Sequence, residues 1–523
     1  MDEDRKVNIS IRYVYCLSDI CYRFDDISQI LSCRGTTFST LSQQPRLHTV
    51  VNVSPVDTRL VEVQNALLAS QLNRSHNALQ ESLSLATSLM DLIEPCRKLG
   101  LNLEVSVHVE AANALWDQGE MTSSIGMLQA LDRGPSLKKQ TIPVGHSDLL
   151  SKIGSQVSIA RLEKADKILE NYLKPALEEL KGKIQGSEAS QVFHQFAQFC
   201  DQQLQDPDSL EDLERLKRLR DRKADEVTFY LGLIGSAKSS AEKSKFKAYH
   251  SKAKLWLALD EEELQRHISS RSEFLHQSLE NYLLALSASD DHDNNTLRFT
   301  ALWLEHSEEG MANEAVSKNL DRVPSRKFAP LMNQLTSRLQ DTGVKFQQLL
   351  FSLVLRICTD HPFHGMYQIY AGANSRPNSK DEPARSRHSA TNKLSKQFSS
   401  IQKAHQVWAA IATTNKVYCQ LAAEKDERYK ANKRFSLKES PALRTLSSIL
   451  SKYPIPSPTM QIGLAADLDY SKVPVMTRLS SEFSIAAGVS APKVITPLAS
   501  NGQKFKQLVR SYPCKHDFQA HRV

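Results

Sequence analysis

The residues with the most chemistry to offer lie near the C-terminal end of the sequence. Between Ala486 and Pro492 the chain reads Ala-Ala-Gly-Val-Ser-Ala-Pro, whose backbone N–H groups and Ser490 hydroxyl are of the kind that hold a phosphate. The run fits neither G-x-x-x-x-G-K-[ST] nor G-x-G-x-x-G, and taken alone it reads first as a plain β-turn. Further on, Lys504, Lys506 and Arg510 alternate with Phe505, Gln507 and Val509, so a strand would project the three cations to one side. Nucleotide phosphates explain such a row, and so does the solvated edge of a sheet.

A second cluster is Cys358-Thr-Asp-His361-Pro-Phe-His364, with ligand-type side chains at three-residue steps. Pro362 ends or bends the helix there and no fourth ligand stands nearby, so a packed helix end is the expectation rather than a metal site. A Lys-rich tract (Lys238, Lys243, Lys245, Lys247, Lys252, Lys254) is read as a solvated helix face before a phosphate contact. No Ser-His-Asp arrangement, H-E-x-x-H, EF-hand loop or Walker pattern is present, and no residue is assigned as catalytic or metal-binding.

The elements that must position these residues fall into two materials. From about Val56 to residue 452 the apolar residues recur at three- and four-residue steps, the period of amphipathic helices. Val109, Ala112 and Trp116, a turn at Asp117–Gly119, then Ile125, Leu128 and Leu131 make the pattern of a tetratricopeptide-like hairpin. Ser209–Glu226 predicts a helix capped by Ser209, and Pro324-Ser325 predicts the start of another carrying Phe328, Leu331, Leu335 and Leu339. Trp256, Leu275, Leu279, Tyr282, Leu283, Trp303 and Leu304 are expected in the core. Asn374–Ser400 has little to bury and is expected as a mobile loop.

After Tyr453–Pro458, a Pro-stiffened linker, the composition turns to strand: Glu482–Ala487, Lys493–Thr496 and Gln503–Arg510, with a hairpin turn at Asn501-Gly502. The predicted fold is therefore mainly α, a tetratricopeptide-like α-solenoid followed by a short, truncated β-meander. The segments are an unassigned 1–55, a helical region 56–452, a linker and strand region 453–510, and a divergent tail 511–523. Within 1–55, IRYVYCLSDICYRF looks strand-like or mixed and CRGTTFSTLSQQPRLHTVVNVSP polar and turn-rich.

Composition narrows the class. The 523 residues are 41% hydrophobic and 24% charged, as in core-forming proteins, with a net charge of +7 from interleaved rather than segregated charges. Eight cysteines without a C-x-x-C pair argue for free thiols in a reducing compartment. No apolar run is long enough for a membrane span, and no apolar segment follows the charged N-terminus as a secretory signal requires.

Several ordered strings then carry a family resemblance: NVSPVDTRLVEVQNALLASQLNRSH, LIEPCRKLGLN, ANALWDQGEMTSSIGMLQAL, LENYLLAL, RFTALWLEHS, VPSRKFAPLMNQLTSRL, RICTDHPFHGMYQI, PIPSPTMQI and FSIAAGVSAPKVITPLASNGQKFKQLVR. Together, from about Asn52 to Arg510, they resemble the FAT region and first kinase strands of the ATM family of phosphatidylinositol-3-kinase-related Ser/Thr kinases, the fungal telomere-maintenance members above all. The resemblance implies a nuclear kinase acting at DNA breaks and telomeres, phosphorylating Ser or Thr before Gln, with a helical FAT clamp around its kinase domain. It implies ATP and Mg as cofactors of the parent kinase. Its implied partners are the kinase domain, DNA-break sensors, telomere factors and a second copy, with no membrane.

By the same resemblance Ala487, Gly488, Val489, Ser490, Ala491, Pro492 and Lys493 would lie at the ATP phosphates, and Arg510 would stand where the family has its ATP-binding lysine. The family pattern there is Leu-Val-Lys-Gly followed by Asp-Asp-Leu-Arg-Gln-Asp, whereas this chain has Leu508-Val509-Arg510-Ser511-Tyr512-Pro513. Arg is not a simple substitute for a phosphate-pairing Lys, because its planar fork differs from an ammonium. The catalytic and metal-binding loops that a kinase needs are not expected after Arg510, where Asp517 is the one Asp. The expectation is thus a kinase scaffold with little or no catalysis of its own; the alternative is a freestanding helical-repeat adaptor that binds partners in its groove. Open strand edges predict poor solubility.

Overall fold

The computed structural model describes residues 23–44, 46, 53–487 and 491–511. The strand-like reading of 11–24 and the tail 512–523 fall almost wholly outside them. The described chain divides into two units, residues 1–292 and 293–523.

In the first unit the opening of the expected turn-rich stretch, residues 33–43, is instead part of a helix, α1 (Phe24–Gln43), and residues 45 and 47–52 of that stretch lie outside the described residues. Its threonines satisfy themselves within it: the Thr36, Thr37 and Thr40 hydroxyls donate to carbonyls four residues back. Leu31 is buried, and its carbonyl accepts from Asn65 Nδ2 at 2.9 Å. Helix α2 (Pro55–Ser75) starts where Ser54 accepts the Asp57 N–H at 3.0 Å and Pro55 takes the first turn. It packs against α3 (Leu79–Lys98) through Val63, Leu89 and Cys96. Pro95 lies inside α3 rather than ending it.

The hairpin of α4 (Glu104–Asp117) and α5 (Met121–Arg133) forms as its pattern predicts. Gly119 closes the turn at φ +90°, a region that other residues enter at a cost. The helices approach closely enough for Ser124 Oγ to donate to the Ala112 carbonyl at 2.7 Å. Ile125, Leu128 and Leu131 join Leu149 and Ile153 of α6 (His146–Ile159) and Phe196 and Phe199 of α8 (Ser187–Gln205) in one core. Between them runs α7 (165–179), whose middle turn, Leu169–Leu173, is π-helical.

Helix α8 (Ser187–Gln205) lies against the second half of α10 (Ser240–Ala288), tied by Ser190 to the Ala285 carbonyl and by Tyr282 to Asp201, each at 3.0 Å. Helix α9 (Pro207–Ser236) is longer than its sequence pattern predicts, and its cap is Asp206, which accepts the Ser209 N–H at 3.1 Å. Asp206 precedes Pro207, so the helix begins at the proline and Ser209 sits within its first turn. Trp256, expected in the core, is 49% exposed on α10, with Leu255 and Phe229 also exposed. Its neighbours in sequence are Leu255 and Leu257, and the helical period alone did not show which face α9 covers.

The second unit opens with α11 (Asn295–Glu305) and α12 (Gly310–Asn319), joined by the buried Trp303, whose indole donates to Asn313 at 3.0 Å. The predicted helix after Pro324 is broken into 3₁₀ turns, Ser325–Lys327 and Ala329–Leu331, before α13 (Met332–Ser337). Pro330 removes an N–H that a continuous helix would need. Phe328, Leu331, Leu335 and Leu339 are buried all the same. They pack with α14 (Lys345–Asp360) and α15 (Pro362–Ala373).

The expected mobile loop 374–400 is mostly a helix, α16 (Glu382–Ser400). Asp381 caps it by accepting the Ala384 N–H at 3.0 Å, and Ala390, Thr391, Leu394 and Phe398 form a narrow buried stripe. Four residues at helical spacing are enough to dock a segment whose overall composition is polar.

Helix α17 (Gln402–Ala423) leads into β1 (Arg434–Ser436), α18 (Pro441–Lys452) and five further strands: β2 (Met476–Leu479), β3 (Glu482–Ile485), β4 (Lys493–Ile495), β5 (Pro497–Ala499) and β6 (Gln507–Val509). One antiparallel sheet has the order β1-β3-β4-β6, and β2 pairs with β5 in a separate two-stranded sheet. β1, β2 and β5 were not foreseen, and the predicted strand 503–510 is confined to its last residues. Gly502 takes φ +83° but Asn501 does not, so the turn is the wider loop closed by Ala499 N–H on the Gln503 carbonyl. Ala410, Val417 and Leu421 of α17, Leu443 and Leu446 of α18, and Phe483, Ile485 and Ile495 of the strands share one apolar cluster.

Candidate nucleotide-side sheet and its helical support

Helix α17 presents Tyr418 and Ala422, four residues apart and hence on one face, to the four-stranded sheet. The Tyr418 hydroxyl donates to Gln507 Oε1 at 2.6 Å, and Gln507 Nε2 donates to Ser457 Oγ at 2.8 Å. Burial pushes the Tyr418 phenol up, so it stays a donor through the physiological range.

One turn further on, the Lys493 ammonium donates to the backbone carbonyls of Ala422 and Glu424. Lys493 is 1% exposed, and its Nζ lies 5.9 Å from the centre of the Tyr429 ring. Carbonyls at a helix C-terminus are the natural partners of a cation, since they lack donors within the helix. The Glu424 carboxylate accepts from the Tyr429 hydroxyl at 2.6 Å, the Ser440 hydroxyl at 2.8 Å and the Ala442 N–H at 3.3 Å. Burial lowers the Lys493 pKa, and the Glu424 charge opposes that shift.

Between β3 and β4, the Ala486 N–H donates to the Pro492 carbonyl at 2.8 Å, closing the neck of the predicted phosphate loop. Ala491 takes φ +43° just before a proline, where a side chain makes the left-handed region costly. Ala487 is exposed and Pro492 buried; Gly488, Val489 and Ser490 lie outside the described residues.

Strand β6 alternates as the sequence predicts, with Gln507 buried and Leu508 57% exposed. Arg510, exposed at its end, follows Val509, which pairs directly with Lys493. Lys504 and Lys506 are exposed but precede the strand.

Of the residues expected at the ATP phosphates, Arg510 is placed on the solvent side. Lys493 is not: its ammonium is held inside against α17. Among the described residues no group of three His, Cys, Asp or Glu side chains is placed to hold a metal ion.

The Cys358–His364 cluster forms a packed joint. Cys358 is fully buried, His361 Nδ1 lies 2.6 Å from the Tyr470 hydroxyl, and His364 Nε2 donates to the Ile462 carbonyl at 2.9 Å. The two histidines thus fasten the irregular segment between α18 and β2. Tyr418, Glu424 and Gln507 were not singled out from the sequence, because the signal for them is a tertiary pairing across tens of residues.

No family model matches the chain. It is 51% identical over 490 residues to the serine/threonine-protein kinase tel1 of Neurospora crassa, covering 93% of this chain and 17% of that protein. The TEL1 kinase of Gibberella zeae is likewise 51% identical, over 488 residues. In fold it matches the solved FAT and kinase domain of CtTel1 with a TM-score of 0.83 at 52% identity, over 93% of this chain and 33% of that one. The chain belongs to the Tel1 family. It spans about a sixth of the length of the curated Tel1 relatives it matches, 17% in each of these two. The open conformation of CtTel1 covers 97% of the chain with a TM-score of 0.87, so the Tel1 likeness extends over helices and strands together.

Proposed function

We propose that this chain is the FAT region and the opening kinase strands of an ATM-like Ser/Thr protein kinase, and that its task is to hold those strands in place. The observation that carries the reading is the pair of partly buried polar contacts from one face of α17, Tyr418 to Gln507 and the Ala422 carbonyl to Lys493. A freestanding adaptor has no need to bind a small sheet so specifically at its end; a scaffold for a nucleotide lobe does. The match to relatives that are Ser/Thr kinases supports the same reading.

On this reading ATP and Mg²⁺ are cofactors of the parent kinase, and phosphoryl transfer belongs to the kinase domain that the scaffold carries. The protein acts in the nucleus, at DNA breaks and telomeres, and meets break sensors and telomere factors there. A second copy is a further partner, supported by a CtTel1 relative solved as a C2-symmetric dimer.

The test is a chimera in which residues 53–509 of this chain replace the matching segment of the Neurospora crassa kinase. Phosphorylation of a Ser-Gln peptide is expected within about tenfold of the parent, a barrier change of no more than about 1.4 kcal/mol. A folded chimera with no activity would overturn the reading.

A further inference from the structure

A buried lysine whose ammonium is spent on backbone carbonyls is an expensive way to fill space. Methionine would occupy a similar volume without the cost of desolvating an ammonium. What Lys493 adds is direction: its donors reach the last carbonyls of α17, and its own backbone pairs with Val509, next to Arg510. Gln507, two residues before Val509 and on the same inward side of β6, is held by Tyr418 one turn back on the same helix. An inner strand, β4, and the edge strand beside it, β6, are therefore gripped by one helix at two points.

We propose that Lys493 is a positioning residue that fixes β4, and through the Lys493–Val509 pair the end of β6 carrying Arg510, to the C-terminal end of α17. A displacement of α17 is then passed directly to the strand end at the nucleotide side. The inference rests on the reading of this sheet as the opening of a nucleotide lobe, but its mechanical part stands on the contacts alone.

The test compares the full chain with its Lys493→Met and Lys493→Arg variants by hydrogen exchange of individual amides and by thermal unfolding. For Lys493→Met the melting temperature is expected to hold or rise, while exchange of the β4 and β6 amides quickens at least about tenfold and the β2–β5 pair is unchanged. Lys493→Arg, which keeps a cation able to donate to the same carbonyls, is expected to retain slow exchange. Unchanged exchange in Lys493→Met would overturn the proposal. So would a uniform loss of protection together with a lower melting temperature, which marks a merely structural role.

Should Lys493→Met fail to fold, Tyr418→Phe releases the other grip and is expected to quicken exchange in β6 selectively, with unchanged β6 exchange again overturning the proposal. Failure of the nucleotide-lobe reading would appear in the kinase chimera and leave these exchange patterns intact.

Discussion

The Tyr418 hydroxyl meets the Gln507 side-chain carbonyl at 2.6 Å in a partly buried layer between a helix and a strand, the two residues lying 89 apart in sequence. Gln507 passes the connection on to Ser457, so helix, edge strand and the segment after Pro456 share one hydrogen-bonded chain. Such a chain specifies one arrangement, because breaking any link strands a polar group away from water.

Tyr418→Phe is accordingly expected to destabilise the chain by about 1–3 kcal/mol, the cost of leaving the Gln507 carbonyl without its donor. Denaturant unfolding checks this. The double variant Tyr418→Phe, Gln507→Leu should cost less than the sum of the single changes, since both ends of the bond are then removed.

Helix α16 provides a sharper contrast with composition. Phe398 is fully buried, its ring 5.2 Å from that of Trp408. Phe398→Ala is expected to cost about 3–5 kcal/mol and to open Arg385 and Arg387 to trypsin, while in the native chain the helix is expected to slow cleavage there. A cleavage pattern unchanged by the substitution would argue against docking of this helix.

Stability should also depend on pH through His361. Burial lowers its pKa, His364 and Arg326 push the same way, and Asp360 opposes them. The unfolded chain then binds a proton at His361 at higher pH than the folded chain does. The stabilising contribution is complete above the ordinary value of about 6.5 and is lost as pH falls through the folded pKa. His292, also lowered by burial, adds a slope of the same sign. His361→Gln, which keeps an acceptor for the Tyr470 hydroxyl, should flatten the fall in melting temperature between about pH 6.5 and 5 without abolishing it.

Among the described residues β6 is an edge of its sheet, with Leu508 exposed on it. Leu508→Lys is expected to reduce self-association of the chain, measured by light scattering, while changing stability by less than about 0.5 kcal/mol.

Where one side of a helix alone decides its packing, the sequence sufficed: α4 and α5 follow from Val109, Ala112, Ile125 and Leu128, and Gly119 marks their turn. It misled where burial depends on a distant partner. Trp256 has the period of a core residue but no helix over it, and α16 looks unstructured until its four-residue stripe meets α17. The strands show the same division. Lys493–Ile495 and Glu482–Ile485 are β-branched or aromatic enough to read directly, but β1, Arg-Phe-Ser, is a strand only because β3 lies beside it. At the candidate site the alternation of β6 was legible from period two. The inward course of Lys493 was not, because it depends on carbonyls at residues 422 and 424.

The most direct test of the central claim, that these strands are built onto α17 as part of one scaffold, is native-state hydrogen exchange of α17, β3 and β4 in the full chain. The structure predicts that their slowest amides open together, with opening free energies agreeing within about 1 kcal/mol and falling in parallel as denaturant is added. Strands that exchange several kcal/mol more readily than a fully protected α17 would contradict it.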